Sequence, residues 1–350
     1  MINQVIRLIQ PKMFETVMES VHFSKEYLIV RPSYMSICHA DQRYYKGTRD
    51  KEVLQKKLPM ALIHEAIGEV LYDPSNEYQS GEKVVLVPNV PGYLIGLPKT
   101  VSELNDRIGE NYCPQGKFRS SGYDGFMQEL IMQPKSLVVK IHENSNDYLF
   151  SITELLSVCM HALKRFYYYS NGENKYIGVW GDGNVAFLMA LLLKKKMPST
   201  KVIVFGKHPN KLEMFSFVDE RYFIDQYPTF ITIDHMFECV GGEAQSEVIN
   251  KIIDIVQPGA SISILGVSEK KVEVNVRKVL EKGIVLIGNS RSNTRDFTDT
   301  IEFILENKIY DYLNMLVTNQ LTVHSITDIH RAFEMDSIKP YGKTVMKWEI

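Results

Sequence analysis

Short β-branched runs bounded by turn residues dominate the first third of the chain. "YLIVRPSYMSIC" (27–38) and "EKVVLVPNV" (82–90), flanked by Pro, Gly and Asp, predict strands. Between them "PMALIHEAIGEV" (59–70) reads as a buried strand interrupted by two ionisable residues, His64 and Glu65. Taken out of water, such a pair costs several kcal/mol (order of magnitude) unless it is paired or bound. A satisfied core histidine beside an exposed neighbour is the simpler explanation of that stretch alone. From about residue 91 to 120 the chain is irregular and polar, which predicts an excursion, either a functional loop or a short lobe.

Beyond residue 150 the period changes. "ITELLSVCMHALKRF" is amphipathic at helical spacing, with Ser151 as its expected cap. "YIGVW" (176–180), "KVIVFG" (201–206), "HMFECVG" (235–241) and "SISILGV" (261–267) follow as short apolar strands separated by helical stretches. This βαβ alternation predicts an α/β fold with a doubly wound parallel sheet. The closing "TVMKWEI" predicts a last strand that could return to the first part of the chain, and no internal repeat is present.

Composition narrows the function. The 350 residues, 45% of them hydrophobic, can bury a large core and predict two domains. With 40 Lys plus Arg against 42 Asp plus Glu, there is no electrostatic case for nucleic acid or an anionic membrane as the main partner. The start "MINQVIRLIQPKMF" carries Arg7 in its apolar run and no small-residue cleavage site, and no stretch approaches the roughly 20 apolar residues of a membrane helix. A cytoplasmic protein is the expectation. Cys38, Cys113, Cys159 and Cys239 are too few and scattered for a disulfide framework and are read as reduced thiols.

"YIGVW" runs into "GDGNVA" (181–186) and then into the helical "FLMALLLKKK". That is G-x-G-x-x-A between a strand and a helix, the context of a dinucleotide turn. Gly181 allows the tight turn, Gly183 lets the backbone approach a pyrophosphate, and Asn184 and Val185 open the helix whose N-terminus faces the anion. The next strand ends in Gly206 where an NAD-selective acid would stand, followed by Lys207 and Lys211. That favours NADP(H), whose 2′-phosphate needs cations and no carboxylate. A solvated basic loop is the alternative.

Cys38, His64 and Glu154 form the mixture of thiolate, imidazole and carboxylate that a catalytic zinc accepts. Singly, Cys38 is compatible with a small core residue and Glu154 with a first-turn helix acid. "FYYYS" (166–170), the "KKK" at 194–196, His39 and His161 are read as packing, surface or structural features.

"LIHEAIGEV" resembles the G-H-E-x-x-G-x-V signature of the medium-chain dehydrogenase/reductase superfamily, with Ile63 in place of its first glycine. "SICHADQRYY", "DGFMQEL", "TELLSV" and "FECVGG" resemble further motifs of the same superfamily, in order. The resemblance implies a GroES-like catalytic domain over 1–150, a Rossmann domain over 151–290, and a C-terminal segment, 291–350, completing the catalytic domain. It implies Cys38, His64 and Glu154 as zinc ligands, with Glu65 a ligand in some states or the carboxylate behind the metal. Ala40 replaces the usual proton-relaying Ser or Thr. Only Cys113 lies in the excursion, so one catalytic zinc and no structural zinc is expected.

"YMSICHADQRYYKGTRD", "FRSSGYDGFMQE" and "VLEKGIVLIGNSRS" are similar to one branch, the ribulose-5-phosphate reductases that supply ribitol 5-phosphate for teichoic acid or capsule. That similarity implies NADPH-dependent reduction of D-ribulose 5-phosphate, a homodimer, and association with a ribitol-5-phosphate cytidylyltransferase. A sugar phosphate needs cations, and Arg43, Arg49 and Arg119 are the candidates, with Tyr44, Ser120 and Ser121 as further hydrogen-bonding groups. A zinc-dependent polyol dehydrogenase acting on an unphosphorylated sugar alcohol, and a non-catalytic binding protein, are the competing readings.

Overall fold

The computed structural model describes residues 1–21, 24–100, 104, 109–142 and 147–350. Two units divide the chain: Met1–Glu154 with Ser292–Ile350, and Leu155–Arg291. The first begins with β1 (Ile2–Gln10), β2 (Met13–Ser20), β3 (Tyr27–Ser36), α1 (His39–Lys46), α2 (Lys51–Lys57), β4 (Met60–Ala61) and β5 (Ala66–Tyr72). It continues through β6 (Lys83–Leu86), β7 (Asn89–Val90), β8 (Lys117–Phe118), β9 (Ile131–Pro134) and β10 (Val138–Lys140) into α3 (Thr153–Tyr169), which carries the chain into the second unit.

The second unit holds β11 (Tyr176–Trp180), α4 (Asn184–Lys196), β12 (Lys201–Gly206), α5 (Pro209–Glu213), β13 (Glu220–Phe223) and β14 (His235–Glu238). Next come α6 (Gln245–Ile255), β15 (Ser261–Ile264), α7 (Val276–Lys282) and β16 (Val285–Gly288). The chain then rejoins the first unit with α8 (Thr294–Asn307), α9 (Tyr310–Leu316), β17 (Val317–Val323), α10 (Ile326–Ile338) and β18 (Lys343–Trp348).

The predicted α/β fold class is what the chain adopts. The second unit is a six-stranded parallel sheet in the order β13-β12-β11-β14-β15-β16. Its order reverses beside β11, the strand that feeds the glycine turn, which is where doubly wound sheets bind ligands. Trp180 stacks on Phe205 at 5.0 Å between ring centroids. In α4 every residue from Ala186 to Leu193 is buried, so this helix is apolar all round and is enclosed rather than amphipathic.

The first unit is mostly antiparallel, with the path β10-β6-β5-β3-β18-β17 and a smaller sheet β2-β1-β4. β18 pairs antiparallel with β3 through Val345 opposite Ser36, so the last strand does return to the first sheet. The excursion holds two 3-10 turns, Gly92–Ile95 and Glu110–Tyr112, and β8 pairs with β7; its residues 101–103 and 105–108 lie outside the described residues. Ser151 is not the cap of α3. It lies inside a 3-10 turn, Asp147–Ile152, that runs straight into the helix, and its hydroxyl donates to the Tyr148 carbonyl at 2.6 Å.

One backbone crossing fixes the strand that leads to His64. Arg7 forms a bidentate pair with Asp124, whose Oδ1 also accepts the Ala61 N–H at 2.8 Å. Gly125 and Phe126 then donate their N–H groups to the carbonyls of Ala61 and Ile63, both at 2.8 Å. A Cβ on Gly125 would stand 2.3 Å from the carbonyl oxygens of both Leu62 and Ile63, so only glycine lets the two backbones touch. Gly125→Ala is therefore expected to destabilise the protein by about 1–3 kcal/mol through overpacking against immovable backbone. A urea-denaturation midpoint unchanged from wild type would contradict this.

Candidate metal centre and dinucleotide turn

Cys38 ends the segment after β3 and is the N-cap of α1, while His64 and Glu65 lie between β4 and β5. One ligand atom from each of Cys38, His64 and Glu65 lies within 4.8 Å of the other two. His64 is 6% exposed and Glu65 fully buried, and His64 Nδ1 is buried without a hydrogen bond. A thiol, an imidazole and a carboxylate converging in a buried wall are a donor set that fits zinc. Glu154, the first-turn acid of α3, stands outside that tight trio. It is buried and close enough for its charge to act on both His64 and Glu65, as theirs acts on it.

The residue that organises this wall was not singled out in the sequence. Asp41, fully buried in the first turn of α1, accepts the Cys38 N–H at 3.2 Å through Oδ2. Its Oδ1 accepts the Ile63 N–H at 3.0 Å and the Ser120 hydroxyl at 2.5 Å. Oδ2 also lies 3.6 Å from His64 Nδ1. One carboxylate thus orients both Cys38 and His64, the arrangement that fixes ring orientation and raises ligand basicity in metal sites. Burial by itself raises the Asp41 pKa, but His64 and these donors outweigh it and hold the carboxyl below its ordinary value.

Ile63 sits at φ 71°, in the left-handed region where a β-branched residue is strained by roughly 1–2 kcal/mol. Its N–H bond to Asp41 and its carbonyl bond from Phe126 hold it there, and its side chain is wholly buried. The glycine of the superfamily signature thus marks a real backbone requirement, which this chain meets with tertiary contacts.

Glu65 is compensated from a distance in sequence. Lys343, at the start of β18, donates to Glu65 Oε1 at 2.6 Å, and the Ser36 hydroxyl donates to Oε2. Lys343 is 2% exposed. Burial would lower its pKa, yet Glu65 outweighs that and raises it. A lysine opening the apolar run of β18 is the same signal as His64 and Glu65 in theirs, and could have been found on that ground.

The arginines separate. Arg43 and Arg49 are half-buried, and the Arg49 guanidinium lies 4.2 Å over the Tyr44 ring. Arg119 is 3% exposed, with its donors on Gln133 Oε1, the Asp124 carbonyl and the Met132 carbonyl. Arg119 is a wall residue whose guanidinium is occupied by the fold, so the expectation that it reaches a substrate phosphate is not carried forward. Ser120, likewise, spends its hydroxyl on Asp41.

In the second unit, Gly181 has φ 134°, and a Cβ there would press on the Cys239 carbonyl at 3.1 Å. Gly183 is the N-cap of α4, offers no side-chain cap, and faces open space. Asn184 and Val185 follow as its half-buried first residues. This leaves the first-turn N–H groups of a 13-residue helix for an anion. Asp182 Oδ2 accepts the N–H groups of Lys207 and His208, both at 2.7 Å, and ties the two βα turns together. Gly206 is packed against Leu212 and Asp182, Lys207 is exposed and Lys211 half-buried.

Burial raises the Glu154 pKa from its ordinary 4.5 to about 7, with Glu65 adding to the shift and His64 and Lys343 opposing it. Between those values the folded, zinc-depleted protein holds a proton the unfolded chain has released. Its stability is therefore present at low pH and falls as pH rises from about 4.5 to 7, by on the order of 3 kcal/mol. His64, whose pKa is also raised, contributes with the same sign. Thermal unfolding of zinc-depleted protein across this range is expected to show the fall, Glu154→Gln to reduce it, and restored zinc to offset it. A flat profile would count against the burial of Glu154.

Over residues 24–143 the chain matches the alcohol dehydrogenase GroES-like domain family. It is 46% identical over 351 aligned positions, covering all of both chains, to the ribulose-5-phosphate reductase of Bacillus spizizenii. It is also 46% identical to ribulose-5-phosphate reductase 1 of Staphylococcus aureus, over 99% of each chain. The crystal structure of S. aureus TarJ in complex with NADPH matches over the whole of both chains, at a TM-score of 0.85 and 41% identity. With full-length identity of this order to its relatives, the chain belongs to the ribulose-5-phosphate reductase family.

Proposed function

We propose that this protein reduces D-ribulose 5-phosphate to D-ribitol 5-phosphate with NADPH as hydride donor and one catalytic zinc per subunit. The observation that carries this reading is the convergence of half-buried Cys38 with buried His64 and Glu65, in a chain that aligns end to end with ribulose-5-phosphate reductases. When bound, zinc supplies a Lewis acid for the ketone oxygen and the dinucleotide supplies the hydride.

The chain's own residues supply position and charge. Cys38 and His64 are the proposed primary ligands, held by Asp41, and Glu65 and Glu154 the carboxylates that ligate or stand behind the metal. Lys343 neutralises Glu65 and keeps its Oε1 turned toward the β18 side of the wall. Ala40 lacks the hydroxyl to relay a proton, so proton delivery is proposed to run through bound water, Glu65 or the substrate itself. Gly181, Gly183, Asn184 and Val185 form the proposed pyrophosphate cradle. Gly206, Lys207 and Lys211 are proposed to receive the 2′-phosphate, since the nearby Asp182 carboxylate is already committed to backbone N–H groups. Arg43 and Arg49 remain as cations for the sugar phosphate.

Supply of ribitol 5-phosphate to a cytidylyltransferase for teichoic acid or capsule, in the cytoplasm, belongs to the same proposal. Among the described residues no helix is long and apolar enough to cross a membrane. A homodimer is proposed through β16, an edge strand with Val285 and Leu286 each 39% exposed, next to an α7 whose Val276 and Leu280 are 60% and 76% exposed. An uncovered apolar edge of this kind is a pairing surface. Light scattering is expected to give a dimer that Leu286→Lys dissociates; a wild-type monomer would exclude it.

The direct test is NADPH and NADH oxidation with D-ribulose 5-phosphate or D-ribulose, before and after a zinc chelator. Chelator-sensitive turnover that prefers NADPH and the phosphorylated sugar is expected. Zinc-loaded protein that fails to turn over D-ribulose 5-phosphate would refute the assignment.

A further inference from the structure

Glu238, the last residue of β14, is used by neither the metal centre nor the glycine turn, yet it is 0% exposed. Its Oε1 accepts the N–H groups of Val240 at 2.7 Å and Gly241 at 3.0 Å. Its Oε2 accepts the Gln245 amide at 3.0 Å and the Gly266 N–H at 3.2 Å. Gln245, itself buried, also donates to the Gly266 carbonyl at 2.8 Å. A buried carboxylate demands saturation of both oxygens. Here the donors come from the loop after β14, the start of α6 and the loop after β15, so one side chain ties three segments together.

The two loops are in direct contact. Gly242 donates its N–H to the Val267 carbonyl, and Leu265 to the Glu238 carbonyl, both at 2.9 Å. A Cβ on Gly266 would stand 2.3 Å from the Gly241 nitrogen and 2.6 Å from Glu238 Oε1, so backbone and carboxylate meet at one point. Toward β11, Cys239 donates its N–H to the Trp180 carbonyl at 2.9 Å, and its own carbonyl is the group against which Gly181 packs. The glycine turn and the loops after β14 and β15 thus form one continuous edge. Val240 and Val267 are 40% and 64% exposed on it.

The proposed 2′-phosphate group of Gly206 and Lys207 stands at the end of β12, on one side of β11, while β14 and β15 lie on the other. A dinucleotide whose pyrophosphate sits on the turn after β11 therefore sends its nicotinamide half across the ends of β14 and β15. We infer that Glu238 is a positioning residue for that half: it fixes residues 239–241 and 265–267 so that they receive the nicotinamide and its ribose, with Val240 and Val267 as the apolar lining. This rests on the proposed use of NADPH and names the group that aligns the reacting end of the cofactor. Glutamine at this position would keep the shape but turn an NH2 toward N–H donors that need an acceptor, which sets the loops apart.

The test compares binding of NADPH with binding of adenosine 2′,5′-bisphosphate, which carries only the adenosine half, to full-length wild type, Glu238→Gln and Gln245→Leu. In Glu238→Gln the dissociation constant for NADPH is expected to rise about 10-fold, while that for adenosine 2′,5′-bisphosphate stays within about twofold of wild type. A role in stability alone would weaken both ligands together or neither, and either result overturns the inference. Should Glu238→Gln fail to fold, Gln245→Leu removes one of the four donors, and a ratio of the two constants equal to that of wild type there overturns it as well. A wild type that binds NADPH while the variants keep its ratio refutes this role alone. A wild type that does not bind NADPH refutes the cofactor reading and this role with it.

Discussion

Asp41 is the constraint on which the metal wall depends. A fully buried carboxylate is tolerated only when its oxygens are saturated, and here its four partners, Cys38, Ile63, His64 and Ser120, come from three stretches of the chain. Satisfying it draws the start of α1, the turn before β5 and the loop after β8 into one position. The Asp41 contact with Ile63 lets a β-branched residue sit at positive φ, and that turn sets the direction in which His64 leaves the strand. Local strain of roughly 1–2 kcal/mol is outweighed by the hydrogen bonds and the buried side chain that depend on it.

The same accounting extends to the second buried carboxylate. Glu65 is neutralised by Lys343, 278 residues away in sequence, and removal of either partner would strand an uncompensated charge at a cost of about 3–5 kcal/mol. The partner arrives because the chain returns from the second unit and adds β18 to the first sheet beside β3. Its strand pairing brings the Lys343 cation to the wall. At Glu154 burial outweighs the opposing charges of His64 and Lys343, and its pKa rises accordingly.

In the second unit the decisive feature is what the turn lacks. Gly183 caps α4 without a side chain, while Asp182 is turned aside onto the backbone of Lys207 and His208. An acid next to the proposed phosphate site is thereby compatible with an anionic ligand, since backbone N–H groups already donate to it.

Much of this was legible in the sequence. The period of the apolar runs determined the α/β class and the parallel sheet, because side-chain period follows directly from backbone geometry. The glycine turn and the ionisable pair in "LIHEAIGEV" were visible because each breaks an apolar pattern, and the pair pointed to a metal only together with Cys38, Glu154 and the superfamily resemblance. Tertiary structure alone decided how those charges are balanced. Asp41 looks like an ordinary helix acid and Arg119 like a free cation, until the fold buries them and supplies their partners. Ion pairing and saturation of buried oxygens are long-range properties: they depend on which distant segments meet, and local period carries no record of that.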